Sequence, residues 1–131
     1  MPRHIDELMK TAEIVPMVNQ IEFHPGWMQP DCVNYCKERG IVVEAWAPLI
    51  NGAALGIPQI CEIADAHSCS PAQVILGWVL ACGVIPLCKS LTPSRIAENL
   101  CPAELTGDEI AVISGIHGCG GRCYNPDCCN Y

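Results

Sequence analysis

Basic residues are scarce in this 131-residue chain, where seven Lys and Arg stand against fourteen Asp and Glu and the formal net charge is −7. No run of Lys or Arg builds the positive surface that a phosphate backbone needs, so the composition argues against a nucleic-acid partner. Residues 1–7 enter charged sequence at once and lack the apolar segment of a signal peptide. We therefore expect a cytoplasmic protein.

Long apolar runs are also nearly absent. One stretch, residues 71–88, is free of charge for 18 residues and reaches the lower limit for a membrane span. However, Ser70 and Gln73 have the spacing of a capping box, Pro71 suits a first helical position, and Gly83 is typical of a helix end. The pattern therefore predicts a buried helix followed by a short buried strand, and no membrane partner.

Cysteine, by contrast, is abundant, and the odd total of eleven argues against a fully paired disulfide framework. The simplest interpretation of the scattered thiols is that they act as small apolar side chains, as at Cys61, Cys69, Cys82 and Cys101. Four more cysteines crowd residues 117–131 and suggest zinc as the alternative. Their spacing contains no C-x-x-C pair, so we predict no metal site.

Helical and strand-like segments alternate along the chain. Helical spacing of Ile5, Leu8, Met9 and Ala12 predicts a first helix, and the further expected elements are a strand at 17–23, a helix at 31–39, a strand at 41–46, helices at 57–66 and 71–82, a strand at 84–87, and helices at 93–100 and 107–116. The apolar strands indicate an α/β protein with a parallel sheet whose faces are covered. Because no G-x-G-x-x-G follows the first strand, a barrel section is favoured over a doubly wound sheet.

Three blocks carry a likeness to a known family: VNQIEFHP at 18–25, GIVVEAWAPL at 40–49, and KSLTP at 89–93 followed by Arg95, Glu98, Asn99 and Leu100. In order and spacing they resemble the aldo-keto reductases over nearly the whole chain. The resemblance implies a partial (β/α)₈ TIM barrel, about strands six to eight with their helices, in residues 1–116, followed by a Cys-rich C-terminal loop at 117–131. A complete barrel takes about 250 residues, so this chain supplies only part of one.

The third block lies where barrels often bind phosphate, after the last strand and at a helix start. Composition alone would make Lys89 and Arg95 ordinary solvated charges. The resemblance implies instead that they bind NADP (NADPH): Lys89, Ser90, Thr92 and Arg95 would hold its 2′-phosphate, with Leu91 in the same block, while Glu98 and Asn99 would reach the adenine.

The first two blocks are expected to bind the rest of the cofactor. By resemblance Gln20, at the end of its strand, would pair with the nicotinamide carboxamide, and Trp46 would stack on the ring. Without the family, both residues would be ordinary strand and core residues. Ala47, Pro48 and Leu49 would contact the pyrophosphate through their backbone, although Ala47 replaces a serine common in the family.

The catalytic group of the family is an Asp, Tyr, Lys and His set that lies before its fifth strand. The resemblance therefore implies no catalytic residue in this chain, and His24 is expected to have a structural role. We expect a truncated NADP-dependent oxidoreductase that is inactive alone and that takes a small carbonyl substrate only if a missing half completes it. The alternative is a non-enzymatic module that associates through exposed strand edges or the Cys-rich tail.

Overall fold

The computed structural model describes residues 1–121. Its elements, in chain order, are α1 Pro2–Leu8, β1 Val18–Glu22, α2 Pro30–Glu38, β2 Val42–Trp46, a 3₁₀ segment Ile50–Gly56, α3 Pro58–Ala66, α4 Pro71–Ala81, β3 Ile85–Pro86, α5 Pro93–Asn99 and α6 Gly107–Ser114. The predicted order of helices and strands is confirmed. Among these residues, no helix has the length and apolar character that crossing a membrane requires.

The three strands form one parallel sheet in the order β1-β2-β3. Parallel neighbours require a crossover, and α2 supplies it between β1 and β2, while α3 and α4 lie between β2 and β3. Register pairs Gln20 with Glu44 and Glu22 with Trp46 across β1 and β2, and Glu44 with Ile85 across β2 and β3. A short parallel sheet with intervening helices is the arrangement that the predicted section of a barrel requires.

One face of the sheet is buried in the core. Ile21, Val43 and Ala45 point to this side and join a cluster that includes the apolar faces of α2, α3 and α4. At its centre the rings of Phe23 and Trp78 stack with centroids 5.2 Å apart. Aromatic pairs at this distance add to the free energy that burial of their area contributes. The helix-covered face therefore holds the described part of the chain together.

The opposite face of the sheet is open. Val18, Val42 and Ile85 project from it with 47%, 44% and 46% of their surface exposed. Gln20 and Glu44 lie on the same face, in the cross-strand row that ends with Ile85. Within residues 1–121 the expectation that both faces are covered is therefore wrong, because the helices of this part pack on one side of the sheet. In a closed barrel the open side would face the interior, where side chains fill the space in layers.

Two local features differ from the prediction. Helix α1 begins with Pro2 at its first position and ends at Leu8, so the predicted helical residues Met9 and Ala12 lie beyond it. The 3₁₀ segment falls where a loop was expected, and it is interrupted at Asn51 and Gly52, whose φ values are 52° and 93°.

Candidate functional site

An open cleft of about 740 Å³ lies at the carboxyl ends of β2 and β3. Four stretches of chain meet there: the end of β2 with the 3₁₀ segment, the start of α4, the turn after β3, and α5. Its lining comprises Trp46, Ala47, Pro48, Leu49, Asn51, Gly52, Leu55, Ser70, Pro71, Ala72, Leu87, Cys88, Lys89, Ser90, Arg95, Glu98 and Asn99. Ligand sites of parallel α/β folds form at this end of the strands, because the loops there can vary without disturbing the sheet.

Two cations, Lys89 and Arg95, stand on the α5 side of the cleft. Both are exposed, and within residues 1–121 neither has a carboxylate at ion-pair distance. Between them the Thr92 N–H donates a 3.1 Å hydrogen bond to Ser90 Oγ, which orders the turn into α5. The side chain of Thr92 makes no cap hydrogen bond, in contrast to the N-cap of α4. This side of the cleft therefore offers positive charge and backbone donors to an anion.

Nine of the twelve predicted cofactor residues line this one cleft: Trp46, Ala47, Pro48, Leu49, Lys89, Ser90, Arg95, Glu98 and Asn99. Leu91 and Thr92 lie on the approach to α5 but outside the lining, and the Leu91 side chain is 89% exposed. Gln20 also lies outside it. The fold thus brings together two blocks that are about 40 residues apart in the sequence.

Gln20 lies on the open face of the sheet, in the middle of β1 rather than at its end as expected. Its Nε2 donates a 3.2 Å hydrogen bond to Glu44 Oε2 on β2. Trp46 follows two residues after Glu44 on the same face of β2, and there it reaches the cleft. The three side chains therefore project from the same face of the sheet, and Trp46 is the one that reaches the cleft.

The loop that forms the floor of the cleft carries unusual backbone geometry. Ala47, Ile50 and Asn51 all have φ of 52°, a left-handed value that costs non-glycine residues free energy. The loop is held by Ile50 N–H donating to Ala47 O at 2.9 Å and Gly52 N–H donating to Leu49 O at 2.8 Å. Such strain persists only where the surrounding contacts fix it, and it is concentrated at functional sites.

Several lining residues escaped the sequence prediction. The Asn51-Gly52 dipeptide is a turn signal next to a predicted strand end, and Ser70 was identified only as a helix cap. Ser70 and Ala72 lie at the start of α4, which follows α3 rather than a strand, so a search of the segments directly after each strand would not have found them.

One thiol, Cys88, lies in the cleft beside Lys89. Burial raises its pKa, so it carries little thiolate at neutral pH. Cys88 therefore lines the cleft and is not an activated nucleophile.

His24 is buried after the end of β1 and is not part of the cleft lining. Its Nδ1–H donates to the carbonyl of Pro25 at 2.9 Å, since a carbonyl can only accept. Its Nε2 lies 3.4 Å from Glu22 Oε1, which is an ion-pair distance without the geometry of a hydrogen bond. The turn it anchors is covered by the C-terminal segment, where Cys119 lies against Gly26.

The zinc hypothesis concerns a tail that lies largely outside the described residues. Within residues 1–121 no three His, Cys, Asp or Glu side chains gather in a way that could hold a metal ion. Cys123, Cys128 and Cys129 belong to residues 122–131, beyond the described part of the chain.

Comparison with known proteins gives a consistent result. The family model of the aldo/keto reductases matches residues 2–117. The chain is 43% identical over 126 residues to glyoxal reductase of Bacillus subtilis, and the matched region is 95% of this chain and 46% of that protein. Aldehyde reductase YPR1 of Saccharomyces cerevisiae is 38% identical over 122 residues, 88% of this chain and 39% of that protein.

Solved structures agree. A Gox0644 mutant in complex with NADPH superposes with a TM-score of 0.92 at 34% identity, covering 98% of this chain and 49% of that one. An aldo-keto reductase of Bombyx mori in complex with NADP gives a TM-score of 0.75 at 30% identity, over 86% of this chain and 41% of that one. The chain thus spans about half the length of the relatives it matches.

Proposed function

The chain belongs to the aldo/keto reductase family, and from this premise we propose that it is the NADP(H)-binding section of a reductase that converts a small carbonyl compound to an alcohol. One observation carries the proposal: a single cleft gathers nine of the twelve predicted cofactor residues, with two cations that have no acidic partner within residues 1–121. The cleft volume lies in the range of small-molecule and cofactor sites.

The residues of the cleft fit the parts of this cofactor. Lys89, Ser90, Thr92 and Arg95 would hold the 2′-phosphate, since cations and a hydroxyl form strong hydrogen bonds to phosphate oxygens. Glu98 and Asn99 would reach the adenine, and Leu91 flanks the phosphate-binding residues. When bound, NADPH would supply the hydride for carbonyl reduction.

The middle of the cleft would take the pyrophosphate and the nicotinamide. Ala47, Pro48 and Leu49 offer backbone to the pyrophosphate, and Ala47 brings no hydroxyl of its own. Trp46 would stack on the nicotinamide ring, while Gln20 on the neighbouring strand would bind its carboxamide.

We propose further that this section does not reduce carbonyls by itself. The proton donor of the family is a tyrosine in the part of the barrel that precedes these strands, and Tyr35 here is hydrogen-bonded to Asp6 between α2 and α1 rather than placed in the cleft. Reduction would then need further barrel strands, which would also cover the open face of the sheet.

Titration of the purified chain with NADPH, followed by nicotinamide fluorescence, tests cofactor binding. We expect saturable binding that Lys89→Ala and Arg95→Ala each weaken about 10-fold, because each loses a charge-assisted hydrogen bond to the 2′-phosphate. NADH lacks this phosphate, so its affinity should change little. The exposed Lys37 on α2 supplies the control, and Lys37→Ala should leave both affinities unchanged. Equal losses for NADPH and NADH would contradict the phosphate role.

Steady-state assays with NADPH and simple aldehydes test the second part. We expect no turnover above the uncatalysed rate. Turnover at the rate of an ordinary reductase, from protein shown by mass spectrometry to be this chain alone, would show that the catalytic group is not missing.

The open face also supports a second candidate function, association of the chain with itself through the exposed Val18, Val42 and Ile85. Burying these side chains against a second copy would remove apolar surface from water. Sedimentation velocity tests it, since a concentration-independent monomer would exclude it. The cytoplasmic location and the division at residues 116 and 117 stay predictions.

A further inference from the structure

We infer that Glu44 is a positioning residue for the cofactor: it fixes the side-chain amide of Gln20 so that Gln20 Oε1 faces the carboxamide NH₂ of the nicotinamide. The inference rests on the proposed function, because it concerns the same bound cofactor. It adds a residue that neither the sequence pattern nor the cleft lining identified.

The direction of the Gln20 amide follows from the chemistry of its partner. Gln20 and Glu44 are directly opposite in the register of β1 and β2, and Gln20 Nε2 lies 3.2 Å from Glu44 Oε2. A carboxylate only accepts hydrogen bonds, whereas an amide has a donor end and an acceptor end. The NH₂ end must therefore face Glu44, which leaves Oε1 for a ligand that donates.

The exposed position of Gln20 means that a neighbouring polar group has to fix the orientation of its amide. Gln20 is exposed on the open face, so packing does not restrict its terminal torsion. The other residue in the row, Ile85, is apolar and pairs with Glu44 on the far side. Among the three residues of this row, Glu44 is thus the group that can distinguish one end of the Gln20 amide from the other.

The nicotinamide position implied by Trp46 lies within reach. Trp46 is two residues beyond Glu44 on the same face of β2, which is about 6.6 Å along the strand. A ring stacked on Trp46 could place its carboxamide beside the Gln20–Glu44 row. Orienting a binding group before the ligand arrives raises affinity, because binding then loses less conformational entropy.

The experiment compares two probes on the full chain: NADPH, which carries the nicotinamide, and adenosine 2′,5′-bisphosphate, which engages only the phosphate and adenine residues. For Glu44→Ala we expect NADPH affinity to fall about 3- to 10-fold, the range of one net hydrogen bond, with no loss for the bisphosphate. Glu44→Gln keeps an acceptor oxygen opposite Gln20 and should recover most of the NADPH affinity. Glu62→Ala, at an exposed site on α3 outside the cleft lining, controls for the loss of one negative charge from the chain.

The outcomes separate the two proposals. Equal changes for both probes in Glu44→Ala, matching Glu62→Ala, would overturn the positioning role and leave the phosphate site intact. Wild-type chain that binds the bisphosphate as tightly as NADPH would also overturn it, because the nicotinamide half would make no contact. Failure of both probes to bind would overturn the proposed function itself.

A second measurement needs no cofactor. In the ¹⁵N spectrum of the free chain, the Nε2 proton resonances of Gln20, identified by their loss in Gln20→Leu, should shift in Glu44→Ala and stay near their wild-type positions in Glu62→Ala. Unchanged resonances in Glu44→Ala would show that the hydrogen bond is absent and would overturn the inference. Circular dichroism of each variant checks that the fold is retained.

Discussion

At the scale of single residues, Gly77 in the middle of α4 shows how closely the backbone segments approach. A Cβ at this position would lie 2.1 Å from the carbonyl oxygen of Ala103. That segment cannot retreat, because the Ala103 N–H donates to Gln73 O at 3.0 Å and Gln73 Nε2 donates to Cys101 O at 2.7 Å. Helix α4 therefore carries glycine for close approach, despite the helix-propensity cost.

We expect Gly77→Ala to lower the free energy of unfolding by about 3 kcal/mol, the upper part of the range for overpacking in a rigid site. Chemical denaturation measures the loss. Gly107→Ala at the first position of α6 is the matched control, since a Cβ there meets nothing within 4 Å, and it should be neutral or stabilising by up to about 1 kcal/mol. A neutral Gly77→Ala would mean that the 101–103 segment is free to move.

We expect the thiols to differ in reactivity because they differ in burial. Cys82 has its pKa raised to about 11 from 9.0 by desolvation, which lowers its thiolate fraction about 100-fold. Cys32 and Cys36 are buried against β1, where Asn19 Nδ2 lies 3.5 and 3.2 Å from their sulfur atoms. Cys101, by contrast, is exposed.

Timed alkylation with iodoacetamide at pH 8, followed by peptide mass spectrometry, should therefore modify Cys101 before the other cysteines of residues 1–121. Cys82 should react about 100-fold more slowly in the folded chain than it does once unfolded, because only the thiolate attacks. Labelling in 8 M urea should make the rates similar. Equal rates in the native chain would show that the core opens faster than the reagent reacts.

At the scale of elements, α6 begins with a capping box that also ties it to α3. Thr106 N–H donates to Glu109 Oε2 at 2.8 Å, and His67 Nε2 lies 2.7 Å from Glu109 Oε1. The Thr106 backbone hydrogen bond first, and the His67 contact second, hold the pKa of Glu109 below its ordinary value near 4.5. The ionised carboxylate thus stabilises both the helix start and the α3–α6 contact.

The sign of the pH dependence follows from this lowered pKa. The unfolded chain takes up the Glu109 proton more readily, so the contribution to stability is fully present above about pH 4.5 and is lost as the pH falls through the folded-state pKa. We expect Glu109→Gln to flatten the acid side of the stability curve. Thr106→Ala should cost about 1 kcal/mol at neutral pH through loss of the cap. The exposed Glu104→Gln is the control, and an equal flattening there would rule out a specific role for Glu109.

The sequence predicted these elements well where local chemistry decides them. The capping box at Ser70 and the stop at Gly83 place α4 and β3 correctly to within one residue at each end. The 3₁₀ segment was missed because its turns depend on left-handed Asn51 rather than on periodicity. Gly77 gave no local signal either, since its role depends on a segment 26 residues away.

The residues of the candidate site also divide into those that a local motif predicts and those that depend on the fold. Lys89, Arg95 and Trp46 could be predicted from motifs, because each block is contiguous in the sequence. The role that we propose for Glu44 could not, since it depends on the parallel register that sets Glu44 opposite Gln20. Register is a property of two strands, and no single block contains it.

At the scale of the whole molecule, the dominant feature of residues 1–121 is a sheet that helices cover on one side. Adjacent residues of β2 show both sides: Val43 is 4% exposed and packs in the core, whereas Val42 on the open face is 44% exposed. Both look alike in the sequence, because a strand inside a complete barrel is apolar on both faces. The apolar pattern of β2 is therefore the one expected of a strand in a closed barrel, and this chain forms one section of such a barrel.

This difference predicts opposite outcomes for the same substitution. Val43→Lys places a charge in the core at a cost of several kcal/mol, a large fraction of the stability of a domain this size, and should unfold the chain. Val42→Lys places the charge in solvent on the open face, should change the unfolding free energy by about 0.5 kcal/mol or less, and should weaken any self-association through that face. Circular dichroism with thermal unfolding measures the first effect, and sedimentation velocity the second. If Val42→Lys unfolds the chain as Val43→Lys does, then Val42 is covered in solution, and the partner that covers it is part of the folded unit. If it leaves both fold and association unchanged, the open face is solvated, and the section is held together by its helix-covered core alone.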